Sequence, residues 1–377
     1  MTTRGRAINL NIRQAGMEDR FRARILPPLM WPGSFGYQAR QLLAEHLPVM
    51  QGRDDRKSAW RMGRELLALG RHWGCVPFHY FRYGLYQCGL DLAECRTFLP
   101  ETVLFARLLP QVNRDTVLLD DKVVCKRVLA SGGVPQPRLL LSGDASSAFL
   151  PDGVRLPLQA AMGALPAHTL MVVKPARYSS GGSGVTLLMP RPDREDFSLC
   201  DYAGRWGSWL IEEHASQHEE TATLNPSALN TFRVITCLRA SGAETLYCML
   251  KLGGSTGHTD NSGAGGLQVR VDIDTGELDR FGYDRRMHQH QCHPVTGRRF
   301  AGHTFSAIKG ITELAERAAH LFPQTPLIGW DIALTPQGPT VIEGNSGPSL
   351  AHIQRTHQMV APILVSRLKE LRNRPLI

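Results

Sequence analysis

Two strand-like runs near the C-terminus, Gly329-Trp330-Asp331-Ile332-Ala333-Leu334 and Val341-Ile342-Glu343-Gly344-Asn345, carry the residues best suited to chemistry. Pro336-Gln337-Gly338 between them reads as a hairpin loop. A hairpin centred on Gln337 sets Asp331 directly opposite Glu343, with Asn345 on the same face and Ile332, Leu334 and Ile342 on the other. Opposed carboxylates repel unless positive charge sits beside them. Oxygens of Asp331, Glu343 and Asn345 converging on one point suit a hard cation, and Mg²⁺ held by few protein oxygens usually holds phosphates as well. A plain solvent-facing hairpin is the competing reading, and the third polar residue at i+2 weighs against it.

Further upstream lie groups that suit phosphate. Val172-Val173-Lys174-Pro175 ends a strand, and Ser179-Ser180-Gly181-Gly182-Ser183-Gly184 follows. Glycines allow close backbone approach, and successive N–H groups can form an anion nest. No Gly-Lys-Ser/Thr follows, so this is not a Walker A loop. Arg233 is aimed from a strand with Thr231, Lys251 ends the next strand, and Asp260 to Gly266 makes a second glycine-rich loop. Three cations, two glycine loops and a candidate metal cage are parts for binding and polarising a triphosphate.

The elements that must position these groups differ along the chain. Residues 36 to 110 read as helical, with apolar spacing of three and four over Tyr37–His46 and Lys57–Trp73. The aromatic run Pro77 to Tyr86 reads as a packing surface. Asp120-Asp121-Lys122 opens a helix that Gly132-Gly133 ends, and residues 142 to 168 read as loop around a helix. Strands are expected over 170–174, 185–189, 208–212, 232–239, 245–252 and 268–273, and helices over 305–322 and 359–371. The expected fold class is α+β, a helical N-terminal region (1–112) followed by subdomains over 113–210 and 211–377.

In order, Asp121-Lys122, Val173-Lys174-Pro175, Ile211-Glu212-Glu213, Asn225-Pro226-Ser227, Asn230-Thr231-Phe232-Arg233, Asp260-Asn261 with Gly265-Gly266, Gly329-Trp330-Asp331-Ile332 and Glu343-Gly344-Asn345 resemble the ATP-grasp superfamily. The resemblance is closer to its sugar-transfer-associated branch and covers roughly residues 36 to 357. It implies two α+β subdomains clamping ATP. It also implies that Lys122, Lys174 and the loop with Ser180, Gly181 and Gly182 contact phosphates, that Glu212, Glu213 and His214 form the adenine hinge, and that Glu219 meets the ribose. Arg233 and Lys251 would neutralise the transferring phosphoryl group, with Asn261 at the acyl-phosphate site. Asp331, Glu343 and Asn345 match the ligands of Mg²⁺, for which Mn²⁺ is a substitute. Two departures stand out: residues 1 to 110 are helical where the superfamily has a small α/β unit, and Gly329 sits where some relatives carry an Arg.

The activity implied is a carboxylate–amine ligase working through an acyl phosphate, in natural-product or surface-polysaccharide assembly, with a small-molecule carboxylate and amine as substrates. The alternatives are a kinase acting on a small-molecule or sugar hydroxyl, or a non-catalytic nucleotide-binding scaffold. His288, His290, Cys292 and His293 have ligand types that suit zinc, but loop composition and flanking arginines favour a polar loop.

Composition narrows the classes. Lys plus Arg exceed Asp plus Glu by 43 − 34 = 9, which favours anionic partners. No interleaved aromatics or nucleic-acid module accompany that charge, so no nucleic-acid partner is expected. No apolar run reaches 18 residues, so no transmembrane segment is expected. The basic start lacks an apolar continuation, and the eight cysteines form no CxxC pair. Reduced thiols in a cytoplasmic protein follow. A homodimer is compatible with all of this.

Overall fold

The computed structural model describes residues 36–177, 179, 181–191, 197–254, 266–356 and 360–372. They form two compact units. One holds residues up to Val112, Arg286–His288 and Ser349 onward; the other holds Asn113–Arg285 and Gln289–Pro348.

The first unit is helical. Its longest early helix, α1 (Ala59–Trp73), starts where the Ser58 side chain accepts the Arg61 N–H at 3.4 Å and stops at Gly74, which takes φ +63°. Glu65, Leu69 and Trp73 recur at four-residue spacing and form its buried face. Glu65 is tolerated there because Lys57 Nζ, at 2.7 Å, and the Tyr80 hydroxyl, at 2.7 Å, both donate to it. Tyr80, Tyr83, Leu85 and Tyr86 of the aromatic run are buried, so it is packing material.

The second unit contains two antiparallel sheets. Strands β1 (Leu139–Gly143), β2 (Ser147–Phe149), β3 (Arg155–Pro157), β4 (Met171–Pro175), β5 (Thr186–Leu188) and β6 (Trp209–Glu213) form the first, in the order β3-β2-β1-β6-β4-β5. Strands β2 and β3 come from the stretch over 142–168 expected to be loop, and β1 is not among the expected strands. They are short, and their Ser, Gly, Ala, Arg and Pro residues carry little β signal, so pairing rather than propensity makes the strand. Helix α2 (Lys122–Ser131) is capped by Asp121, whose Oδ1 accepts from Val123 N–H at 2.9 Å and Val124 N–H at 3.1 Å. Met171, Val173, Trp209 and Ile211 pack with Leu199, Tyr202 and Ala203 of α3 (Leu199–Trp206), leaving Lys174 and Glu212 on the opposite face.

The second sheet comprises β7 (Thr231–Arg239), β8 (Gly242–Leu252), β9 (Leu267–Val271), β10 (Leu278–Tyr283), β11 (Gln289–His290), β12 (Leu327–Thr335) and β13 (Gly338–Asn345), ordered β11-β10-β9-β8-β7-β12-β13. One face buries Phe232, Val234, Leu250, Val269, Trp330 and Ile332 against α4 (Ile308–Ala319). The other face carries Arg233, Lys251, Asp331 and Glu343 beside the buried Ile235 and Met249, and holds the candidate site. A final helix, α5 (Val360–Arg372), belongs to the helical unit, where Ala361 N–H donates to Thr97 O at 2.9 Å. Among the described residues no helix is long and apolar enough to cross a membrane.

Candidate active site

Asp331 and Glu343 are direct cross-strand partners, as the spacing predicts, but by a different route. The hairpin turns between Thr335 and Gly338, and a bulge at Ile342 moves the pairing by one residue before Glu343. The bulge exchanges the expected roles of Val341 and Ile342. Val341 faces the core at 1% exposure, and Ile342 is only half-buried. Both an apolar Val341 and an inward-aimed Glu343 are thereby satisfied, which strict alternation would forbid.

On its other side Asp331 is paired with Arg233 of β7. Arg233 Nε donates to Oδ1 at 2.6 Å and Nη2 to Oδ2 at 3.0 Å, a two-point geometry, while Lys251 Nζ reaches Oδ2 at 3.1 Å. Burial alone would raise the Asp331 carboxyl. The Arg233 and Lys251 charges outweigh it and hold the group well below the usual carboxylate range. The charge that lets two opposed acids coexist is thus supplied in part by two strand-borne cations. Asn345 Nδ2 donates to Gly329 O at 3.1 Å, which turns its Oδ1 away from that carbonyl.

Gly329 explains how Arg233 fits. A Cβ there would lie 2.7 Å from Pro348 Cβ, 3.3 Å from Ile235 Cδ1 and 3.4 Å from Arg233 Cδ. No longer side chain can occupy this position, and the space goes to the Arg233 stem.

The first sheet supplies the second half of the site. Lys174 Nζ lies 2.5 Å from Glu212 Oε1, and Lys126 Nζ lies 2.7 Å from Oε2, all three side chains being buried. Burial would raise the Glu212 carboxyl, but Lys174 and Lys126 together hold it low. Lys126, on α2, is a site-forming residue that sequence reasoning missed. Its i, i+4 spacing from Lys122 was the available signal. Lys122 Nζ donates to Ser179 Oγ at 3.2 Å. Burial lowers the Lys122 ammonium, Glu343 raises it and Lys174 lowers it further, so this lysine feels groups of both sheets. Arg177, also missed, pairs with Asp121 Oδ2 at 2.5 Å and so ties the helix cap to the loop after β4.

The remaining expected residues are spread around this centre. Gly181 and Gly182 take φ +71° and +73°, the left-handed conformation that glycine accepts freely. Ser180 and Asn261 lie outside the described residues. Glu212, assigned to the adenine hinge, spends its carboxylate on the two lysines. Glu213 accepts from Arg138 at 2.7 Å, and its own N–H donates to Arg138 O. The His214 N–H reaches Leu170 O at 3.4 Å, and Glu219 is exposed at the start of a short helical turn. Asn225 and Asn230 form a buried network with Gln217 and Gly253, fixing the strand that presents Arg233.

The histidine-rich segment does not converge. His290 faces Asp284 at 3.5 Å, Cys292 is exposed, and buried His293 places Nε2 2.6 Å from Gly253 O while Nδ1 accepts the Thr296 N–H. Among the described residues no group of three or more His, Cys, Asp or Glu side chains is placed to hold a metal. The set at Asp331, Glu343 and Asn345 is two carboxylates and an amide, all oxygen donors, and fits a hard cation.

Two antiparallel sheets and a helical N-terminal region give the chain an ATP-grasp fold. Residues 197–372 match the family described as sugar-transfer associated ATP-grasp. No curated protein matches the chain. Similar solved structures include N5-carboxyaminoimidazole ribonucleotide synthetase from Thermotoga maritima, at 14% identity and TM-score 0.38, covering 69% of this chain and 50% of that one. Biotin carboxylase from Campylobacter jejuni matches at 14% identity and TM-score 0.42, covering 69% and 47%. D-alanine-D-alanine ligase from Helicobacter pylori matches at 13% identity and TM-score 0.41, covering 69% and 61%. The chain therefore spans about half to three fifths of the length of these proteins.

Proposed function

We propose that this protein is an ATP-dependent carboxylate–amine ligase. The observation that carries the reading is the polar row Glu343–Asp331–Arg233, with Lys251 reaching into it, on the face opposite the apolar core. Acid oxygens for a hard cation and fixed cations for phosphoryl oxygens lie side by side there. Asp331, Glu343 and Asn345 would hold Mg²⁺, with Mn²⁺ as a substitute, and the bound metal would supply charge neutralisation for the phosphates. Lys174 and Lys122, with the loop at Gly181 and Gly182, would take the phosphates nearer the nucleoside.

In this reading a substrate carboxylate oxygen attacks the γ-phosphorus, the bond to the β–γ bridging oxygen breaks, and ADP leaves. Arg233 and Lys251 hold the negative charge that builds on the transferring group. An amine nitrogen then attacks the acyl carbon, the C–O bond to phosphate breaks, and the nitrogen loses a proton as the amide forms. The chain's residues position and neutralise; no covalent intermediate on the protein is required. The test is a phosphate-release screen of acids against amines, followed by mass measurement of the product. Release of ADP and phosphate with an amide of the expected mass supports it. A phosphorylated hydroxyl without free phosphate makes the protein a kinase instead.

A further inference from the structure

Lys174, Glu212 and Lys126 form a buried triad with two positive charges and one negative. Lys126 is held on the far side of Glu212 by a second bond, its Nζ donating to Pro137 O at 2.7 Å, and its own carbonyl accepts from Gln136 Nε2 at 2.7 Å. It is therefore anchored to the segment between α2 and β1, while Lys174 projects from β4 beside the glycine loop. Lys174 and Glu212 are diagonal neighbours on adjacent strands, Lys174 pairing with Leu210 and Val172 with Glu212. A buried cluster with one charge in excess is costly unless an anion completes it.

We propose that Lys126 is a positioning residue for nucleotide binding: by occupying one oxygen of Glu212 it leaves Lys174 only half-claimed, so that the triad offers one net positive charge to a phosphate. Lys126 itself touches no ligand. The inference rests on the ATP reading above and adds a residue to it. Without Lys126, Glu212 and Lys174 become a neutral, self-satisfied pair, and the phosphate must compete with Glu212 for the same ammonium. With Glu212 also neutralised, Lys174 is released and the net charge returns to one.

Calorimetric titration of the full chain with ADP and, separately, with adenosine tests this, because adenosine lacks the phosphates that Lys174 would meet. Lys126→Met weakens ADP binding about tenfold, the loss of one charge-assisted contact, and changes adenosine binding by less than about twofold on the same scale. The double variant Lys126→Met/Glu212→Gln restores ADP affinity to within about threefold of wild type and guards against a folding defect in the single variant. The inference is overturned if Lys126→Met leaves ADP affinity unchanged, if ADP and adenosine weaken alike, or if the double variant does not recover. A wild-type protein that binds neither ADP nor ATP would overturn the ATP reading itself, and this inference with it.

Discussion

Asp331 and Arg233 stand directly opposite each other on adjacent strands, joined by two bonds of 2.6 and 3.0 Å, with Lys251 completing the carboxylate from the next strand. The acid proposed to hold the metal and the cations proposed to meet the phosphoryl group are thus one electrostatic unit. Replacing Asp331 by Asn keeps the shape and removes the charge that these cations share. Breaking a buried pair costs about 3 kcal/mol or more, so urea unfolding should show a loss of that order. If the proposed site holds Mg²⁺, the metal should also cease to strengthen ATP binding, because one of the two carboxylates proposed for it is gone. Titrations of ATP with and without Mg²⁺ that show the wild-type metal dependence in Asp331→Asn would remove this residue from the metal site.

Gly329 should tolerate nothing larger. Gly329→Ala places a Cβ 2.7 Å from Pro348 Cβ and against the Arg233 stem. Overpacking of this kind costs about 1–3 kcal/mol, and Arg233 is the movable neighbour. We expect lower stability together with weaker ATP-dependent phosphate release. A variant as stable and active as wild type would show that Pro348 yields instead.

How much of this was legible beforehand depended on sequence distance. The opposition of Asp331 and Glu343 follows from counting across one turn, and Asp121 as a helix cap follows from local chemistry. The bulge at Ile342 leaves no local mark, because Val and Ile are equally apolar and only the core decides which one enters. The pairing of Glu212 with Lys126 was not legible, because Lys126 lies on a helix far away in sequence and a strand carboxylate looks the same whether it faces a ligand or a buried lysine. Residues from Ser349 onward joining the helical unit is likewise a product of long-range packing. Strands β1 to β3 were missed because their residues become strand only by pairing with β6 and each other.

Stability should fall on mild acidification, and two histidines of the helical unit set the window. Burial first, and the Arg82 charge second, lower His46 to about 4. Burial lowers His79 to about 3, and both of its ring nitrogens are buried without a hydrogen-bond partner. Both folded values lie below the unfolded value of about 6.5. Above that pH each histidine is neutral in both states and contributes nothing to the pH dependence. Below it the unfolded chain binds protons that the fold refuses, so stability declines from about pH 6.5 towards pH 4. Asp331, held low in the fold, adds to the decline only as pH approaches the ordinary Asp value of about 4. Urea midpoints at pH 7.5, 6.0 and 5.0 should fall in that order, on a scale set by the same linkage. His79→Phe, which removes the ring nitrogens, should flatten the decline. An unchanged slope in His79→Phe would assign it to other groups.

His293 is a structural brace in this fold, and that reading separates cleanly from a zinc ligand. Its Nε2 meets Gly253 O, the carbonyl to which Asn225 Nδ2 also donates, and the Gly253 N–H donates to Asn230 Oδ1, two residues beyond Lys251. The neighbouring Thr296 hydroxyl donates to Leu224 O at 2.7 Å, so one turn secures both sides of the asparagine network. His293→Leu removes a buried donor from Gly253 O and should cost about 1–3 kcal/mol, with loss of phosphate-release activity as Lys251 shifts. Metal content gives the independent readout. Wild type and variant should both purify without stoichiometric zinc, whereas zinc bound one-to-one in wild type and lost in His293→Leu would make this histidine a ligand and the brace a consequence of the metal.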